Sequence, residues 1–405
     1  MKILLINNFY KSKYPSGENS LFKEEARLLS NKTSLFKEEA RLLSNKTNKI
    51  KIYKKYSDNI KNKNKNLLFV GISYIWNFKS QHEINKLLDK FKPDIIHIHN
   101  TFPLISNSIF ILKKKIPIFL TLHNLRIFCA AGNLLRKKKV CTLCIDKKSI
   151  IPSLRYKCYQ KSFFKTLPIA INIFILRFFN ILNKQNIFML AFSKFQKNLL
   201  VKAGIKDDRI FIKKNFLKND VKYINFDLKD NYITFVGRIS NEKGVDKLIK
   251  CWNLWGDEAP NLKIIGDGPL LSVFKNINTN KNIEFLGYVE RKKTIKIIAK
   301  SKMLIFPTQC YEGLPMTILE AFSVKTPVIA SNLGPISEII KNNVNGILFK
   351  YNSSHSLYKH VKYNWHNHRL KKISENAYQD YLNLYSDKVN YNNLVNIYKK
   401  ANNKR

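Results

Sequence analysis

Acidic side chains are scarce in this chain. Its 405 residues hold Asp+Glu 28 against Lys+Arg 72, a formal net charge of +44. A surface of that sign faces something anionic: nucleotide phosphates, nucleic acid or an acidic membrane leaflet. Lys, Asn and Ile are abundant together, a bias that base composition alone can produce, so charge by itself identifies no partner. A basic stripe interleaved with aromatics is missing, and nucleic acid is not an expected partner. A long apolar segment is also missing. The longest apolar region, Leu167 to Leu182, is interrupted by Asn172, Arg177 and Asn180, too short and polar to span a bilayer. The N-terminus opens on a buried-type strand, Ile3 to Ile6, without the apolar region of a signal peptide. The expectation is a cytoplasmic protein with reduced thiols, peripheral on the cytoplasmic face of a membrane if its charge meets one.

What is present is a globular chain, 45% hydrophobic and long enough for two domains. Short apolar runs alternate with helical patterns. The strand candidates of the first half are Ile3–Ile6, Ile50–Tyr53, Ile95–His99, Ile118–Leu122 and Phe188–Phe192. Those of the second half are Tyr232–Val236, Leu262–Ile265, Ile283–Leu286, Met303–Phe306, Pro327–Ala330 and Gly346–Phe349. Helical patterns such as Val245–Trp255 and Ile295–Ser301 lie between them. Near-continuous apolar strands separated by helices predict parallel sheets covered on both faces. The expected class is α/β, with two Rossmann-like domains facing each other across a cleft. The expected boundaries are 1–213, 214–385 and a terminal helix, 386–405, packing back on the first domain.

One segment is repeated without change: Ser20–Thr33 and Ser34–Thr47 both read SLFKEEARLLSNKT. Each copy is amphipathic, with Leu21, Phe22, Ala26, Leu28 and Leu29 near one face of the first. Fourteen residues are almost four turns of ~3.6 residues, so a doubled helix drifts only about 40° in face. The second copy is absorbed as a longer helix or bulges out as a surface insertion.

The chemistry-bearing motif is Glu312-Gly313-Leu314-Pro315-Met316-Thr317-Ile318-Leu319-Glu320. It follows an apolar run and opens a helical pattern, where parallel α/β sheets place their ligands. Unpaired N–H groups at a helix start suit a phosphate or sugar oxygen. Carboxylates accept hydrogen bonds, so Glu312 and Glu320 suit hydroxyl groups. Donors for phosphate beside acceptors for hydroxyls describe a nucleotide-sugar site. Upstream, Gly237-Arg238 ends a strand and Lys243-Gly244 opens a helix. Gly237 permits close backbone approach, and Arg238 and Lys243 can both reach a diphosphate. The bland alternative is a turn with a solvated arginine. Gly268, within Gly266-Asp267-Gly268-Pro269, contacts a base or simply turns the chain.

In the first half His123 follows an apolar strand, placed to bond a sugar hydroxyl or to sit as a structural histidine. His97 and His99 share one strand face, and strand-end packing accounts for them. Gly17, in Ser16-Gly17-Glu18, belongs to a loop after the first strand that could admit acceptor or diphosphate. Cys129, Cys141, Cys144 and Cys158, in the basic segment 129–158, have a spacing compatible with a structural zinc. Phe163–Leu182, with scattered Lys and Arg, is either a partly buried helix or a face for an anionic membrane.

Together GRISNEKG, GDGP, FLGYV, EGLPMTILEAFS, TPVIAS and NGILF, with YPSGENS, DIIHIHN and TLHN earlier, resemble the retaining nucleotide-sugar glycosyltransferases of family 4, of GT-B fold. The resemblance runs over nearly the full length. It implies a hexosyltransferase-type enzyme taking a nucleotide-diphosphate sugar as donor and a glycan or lipid-linked acceptor. It implies that Arg238 and Lys243 neutralise the donor diphosphate. Glu312 and backbone around Gly313, Leu314, Pro315, Met316 and Thr317 hold sugar and phosphate, Glu320 the ribose, and His123 the donor sugar. It implies no metal cofactor for catalysis, in keeping with the lack of an Asp-x-Asp site. Departures are Ser16-Gly17 for two glycines, Lys325 for a glycine, and Pro335 after Gly334. An epimerase on the same fold needs acid/base groups that have no evident position here. An inactive GT-B protein serving glycan assembly or binding an anionic polymer is the reading from another class.

Overall fold

The structure, a computed structural model, describes residues 1–9, 17–30, 49–57 and 67–402; of Gly17, residues 67–70 and Asn402 it describes only the backbone. Two compact units emerge. One comprises Met1–Leu134, Thr142–Lys213 and Tyr391–Arg405; the other comprises Leu135–Cys141 and Lys214–Asn390.

In chain order the first strands are β1 (Lys2–Phe9), β2 (Lys49–Tyr56), β3 (Ile95–Asn100) and β4 (Ile118–Thr121). A short antiparallel hairpin follows, β5 (Leu135–Arg136) and β6 (Lys139–Val140), then β7 (Ile187–Ala191) and β8 (Ile210–Ile212). All but the hairpin form one parallel sheet in the order β2-β1-β3-β4-β7-β8. Ile3, Leu4, Leu5 and Ile6 are all fully buried, as a strand covered on both faces requires. β2 is an edge strand, and its exposed lysines discourage pairing with another chain. β8 escaped sequence expectation because three residues carry too little pattern.

The first copy of the repeat forms most of the helix Gly17–Leu29. Leu21, Phe22, Leu28 and Leu29 are buried as expected, but so is the charged Glu25, at 0% exposure. The second copy, Ser34–Thr47, lies outside the described residues. The terminal helix Asp387–Asn402 places Leu394, Ile397, Tyr398 and Ala401 in one apolar cluster with Ile3, Leu5 and Phe119. Among the described residues, no helix is long and apolar enough to cross a membrane.

The second unit carries β9 (Asp230–Val236), β10 (Asn261–Ile265), β11 (Ile283–Gly287), β12 (Ser301–Phe306), β13 (Val328–Asn332) and β14 (Ile347–Lys350). These pair in parallel in the order β11-β10-β9-β12-β13-β14. The order reverses between β9 and β12, and at such switch points the loops beyond the strand ends diverge and leave room for a ligand. The helix expected over Ile295–Ser301 instead spans Arg291–Lys300. Glu290 caps it by accepting from the Lys292 N–H, and Ser301 already belongs to β12. Lys325 stands at φ 54, a left-handed conformation that explains why glycine is usual there. Its ammonium lies 4.0 Å from the Tyr223 ring centroid.

Candidate functional site

In the second unit the two loops at the switch point bring Lys243 and Glu312 together. Lys243 closes the one-turn helix Asn241–Lys243 after β9; Glu312 follows β12. The Lys243 Nζ donates to Glu312 Oε1 at 2.7 Å, and the Thr308 hydroxyl donates to the same oxygen at 2.8 Å. Burial alone would lower the Lys243 pKa; Glu312, with Cys310 and Glu242, holds it above its ordinary value. The ammonium therefore stays charged. The Cys310 thiol is pushed up to about 12, by burial first and then by Glu312.

The loops are held together through backbone. Gly244 has φ 74, and a Cβ there would sit 2.0 Å from the Pro307 carbonyl oxygen. The Gln309 N–H donates to the Glu242 carbonyl at 2.8 Å, and the Gln309 amide to Asp246 at 2.9 Å. A Cβ on Gly268 would lie 2.3 Å from the Ile239 carbonyl oxygen. Close packing of the β9 and β10 loops thus requires this glycine. Gly237 donates its N–H to the Ile265 carbonyl at 3.0 Å, and Arg238 is exposed on the loop beyond it.

Gly313 lies on the turn after Glu312, and Pro315 precedes the helix Met316–Ser323, whose first turn no side chain caps. Met316 and Thr317 open that helix, and the Leu314 carbonyl accepts from Asn215 at 3.3 Å. Glu320, four residues into the helix, is 7% exposed. Arg291 Nε donates to its Oε1 at 2.9 Å. Neither Arg291 nor Thr308 was singled out from sequence. Arg291 follows the FLGYV motif at a helix start, a position that could have drawn notice.

In the first unit His123 follows β4 and lines a concavity with His99, Asn100, Phe102 and Arg126. His123 Nε2 lies 3.0 Å from His99 Nδ1. Burial, foremost, holds the His123 pKa well below its ordinary value, so the ring is neutral. Beneath it, Glu25 meets His97, His99 and Lys213, all fully or nearly fully buried. Burial works to raise the Glu25 pKa, but the Lys213 ammonium beside it outweighs this and holds it well below its usual value.

Among the described residues, Glu25, His97 and His99 are the one group of three His, Cys, Asp or Glu side chains close enough to share a metal ion. The Lys213 ammonium already occupies that carboxylate. Both His97 nitrogens are engaged, with Thr121 at 2.7 Å and Tyr398 at 2.6 Å. The group is a buried polar cluster built on the Glu25–Lys213 ion pair. Cys129, Cys141, Cys144 and Cys158 are half-buried thiols outside any disulfide. Cys141 lies just after the hairpin and Cys144 in the helix Leu143–Asp146. Gly17 opens the helix Gly17–Leu29; Ser16 lies outside the described residues.

Two family profiles match the chain: Glycosyltransferase Family 4 over residues 44–216, and Glycosyl transferases group 1 over residues 218–380. The chain belongs to the family 4-like GT-B glycosyltransferases. It is 27% identical over 342 residues to an uncharacterized glycosyltransferase of Methanocaldococcus jannaschii, covering 80% of this chain and 82% of that one. A Bacillus subtilis glycosyltransferase named for teichuronic acid biosynthesis is 23% identical over 272 residues, 65% of this chain and 59% of that one. Among solved structures, Anabaena HepE in complex with UDP-glucose matches with a TM-score of 0.64 at 14% identity, covering 99% of this chain and 100% of that one. The paired six-stranded parallel sheets are those of the GT-B fold.

Proposed function

We propose that this glycosyltransferase moves a hexose or related sugar, with retention, from a nucleoside-diphosphate donor to a cell-surface glycan or lipid-linked acceptor. The observation that carries the reading is the Lys243–Glu312 pair at the β9/β12 switch point. An ammonium and a carboxylate 2.7 Å apart meet two parts of one donor: the ammonium a phosphate, the carboxylate a sugar hydroxyl. The UDP-glucose held by HepE and the biosynthetic role named for the Bacillus relative support donor class and pathway class.

The chemistry follows from where charge develops. The bond from the anomeric carbon to the diphosphate breaks through an oxocarbenium-like state, and negative charge builds on the departing phosphate. Lys243 and Arg238, placed beforehand, stabilise that state more than the ground state. The uncapped N–H groups at Met316 and Thr317 add to this stabilisation, and the reading requires no metal. Glu320 takes the ribose hydroxyls, and His123 the donor sugar. The acceptor hydroxyl enters on the face that the phosphate leaves, and the phosphate oxygen takes its proton. The acceptor side is supported by the helix Phe163–Phe178 and its C-cap, which expose Phe164, Phe174, Phe178 and Phe179 beside a lysine-rich segment. Such a face suits the interface of an anionic membrane on its cytoplasmic side.

The test is thermal stabilisation by UDP, GDP, ADP and their sugars, with Lys243→Ala as control. A hundredfold excess over the dissociation constant adds about 2.7 kcal/mol. A shift for one nucleotide, lost in Lys243→Ala, supports the donor site and names the base. No shift with any donor in the folded protein favours an inactive glycan-assembly module.

A further inference from the structure

Beneath His123 lies a chain of polar groups. His99 Nε2 is 3.2 Å from Glu25 Oε1, and His99 Nδ1 is 3.0 Å from His123 Nε2. Lys213 holds the other Glu25 oxygen. His97 flanks the cluster, and the Phe22 ring stands edge-on to His99 at 5.0 Å. Phe22 and Glu25 lie three residues apart on one face of the helix Gly17–Leu29. The glycosyltransfer reading makes no use of Glu25, His99 or Lys213.

The proton positions follow from electrostatics. The Lys213 ammonium already balances the Glu25 carboxylate, so a further proton on a ring of the cluster would leave an unpaired positive charge in a buried place. His99 Nε2 is not well aligned for a hydrogen bond to Oε1. A lone pair on that nitrogen would nevertheless face the carboxylate at 3.2 Å, so that nitrogen carries the hydrogen. His99 Nδ1 is then a lone pair and accepts from His123 Nε2–H. The neutral His123 is left with a lone pair on Nδ1.

We infer that Glu25, acting through His99, sets the tautomer of His123 and makes its Nδ1 a hydrogen-bond acceptor in the pocket that His123 lines. Glu25 and His99 are positioning residues. His123 therefore receives a hydrogen bond from a sugar hydroxyl and does not donate one. The part that concerns turnover rests on the glycosyltransfer reading; the part that concerns the tautomer does not.

The test uses the full chain with ¹⁵N-labelled histidine and two-bond ¹H–¹⁵N spectra, which separate the two tautomers. His123 is assigned with His123→Gln. The wild type is expected to show His123 protonated at Nε2. In Glu25→Gln the single amide oxygen goes to the Lys213 ammonium and the amide N–H₂ turns to His99. The chain of donors inverts, and His123 is expected to carry its hydrogen on Nδ1. Glu25→Gln/Lys213→Met removes both charges should the single variant fail to fold, and is expected to populate both tautomers.

Glu39→Gln, the same position in the second copy of the repeat, serves as the control and leaves the spectrum unchanged. A folded variant without the carboxylate at residue 25 that keeps the wild-type His123 pattern overturns the inference. So does a change in Glu39→Gln alone. With UDP-glucose, or whichever donor the wild type turns over, Glu25→Gln is expected to lower kcat by about tenfold or more with KM little changed. If the wild type turns over no donor, the glycosyltransfer reading fails while the spectra still decide the tautomer.

Discussion

Arg291 Nε lies 2.9 Å from Glu320 Oε1, joining the helix Arg291–Lys300 to the helix Met316–Ser323. The guanidinium fixes the carboxylate that the proposed function assigns to the ribose. Arg291→Ala is expected to cost ~1–2 kcal/mol of nucleotide affinity through the lost charged hydrogen bond, roughly tenfold in Kd. Titration calorimetry with UDP checks this; an unchanged Kd removes Arg291 from the site.

Lys243→Ala is expected to lower kcat by about 10²–10³-fold, the typical loss on removing one group that stabilises developing charge. Glu312 keeps its hydrogen bond from Thr308 in that variant, so the fold survives. Steady-state sugar transfer and a thermal melt, measured together, separate lost chemistry from lost structure.

Gly244 and Gly204 both have positive φ, at 74 and 98, but differ in surroundings. A Cβ at Gly204 meets nothing within 4 Å, whereas at Gly244 it meets the Pro307 carbonyl oxygen at 2.0 Å. Gly204→Ala is expected to cost about 1 kcal/mol from backbone conformation alone. Gly244→Ala is expected to cost more than about 3 kcal/mol, because the loop that carries Lys243 has to move. Urea unfolding midpoints of the two variants test the difference.

Glu18 makes stability depend on pH. Burial, only partly offset by Arg126, raises its pKa from 4.5 to about 8. The folded state keeps this proton while the unfolded chain releases it. Stability is therefore fully present below about pH 4.5 and is lost as pH rises toward about 8. Glu18→Gln is expected to flatten that slope and to raise the melting temperature at pH 8 more than at pH 5. Equal gains at both pH values would overturn the assignment.

Much of this was legible in the sequence because parallel strands buried on both faces read as continuous apolar runs. Lys243 and Glu312 were legible for the same reason: each follows such a run at a loop where ligands gather. Arg291 was not, because its role depends on one helix lying beside another. Glu25 was read as part of an amphipathic helix. Its partner Lys213 stands 188 residues away, and no local pattern records a pairing at that distance. The buried lysine and the buried glutamate each look like surface residues until they are placed together. Lys213→Met alone, leaving Glu25 without its counter-charge, is expected to cost ~3–5 kcal/mol.

The described helix Gly17–Leu29 draws its buried apolar residues, Leu21, Phe22, Leu28 and Leu29, and the buried Glu25 from the first copy of the repeat. Because the copies are identical, loss of either one produces the same polypeptide. That shorter chain would keep Phe22 and Glu25 at their positions. The stretch between Leu29 and Lys49, now 19 residues, would fall to 5, an ordinary length for a helix-to-strand connection. The fourteen extra residues therefore add only to the length of chain between Leu29 and Lys49, on either side of which the described helix and the β1–β2 pairing stand. The gene can discard them in either order without a trace in the protein.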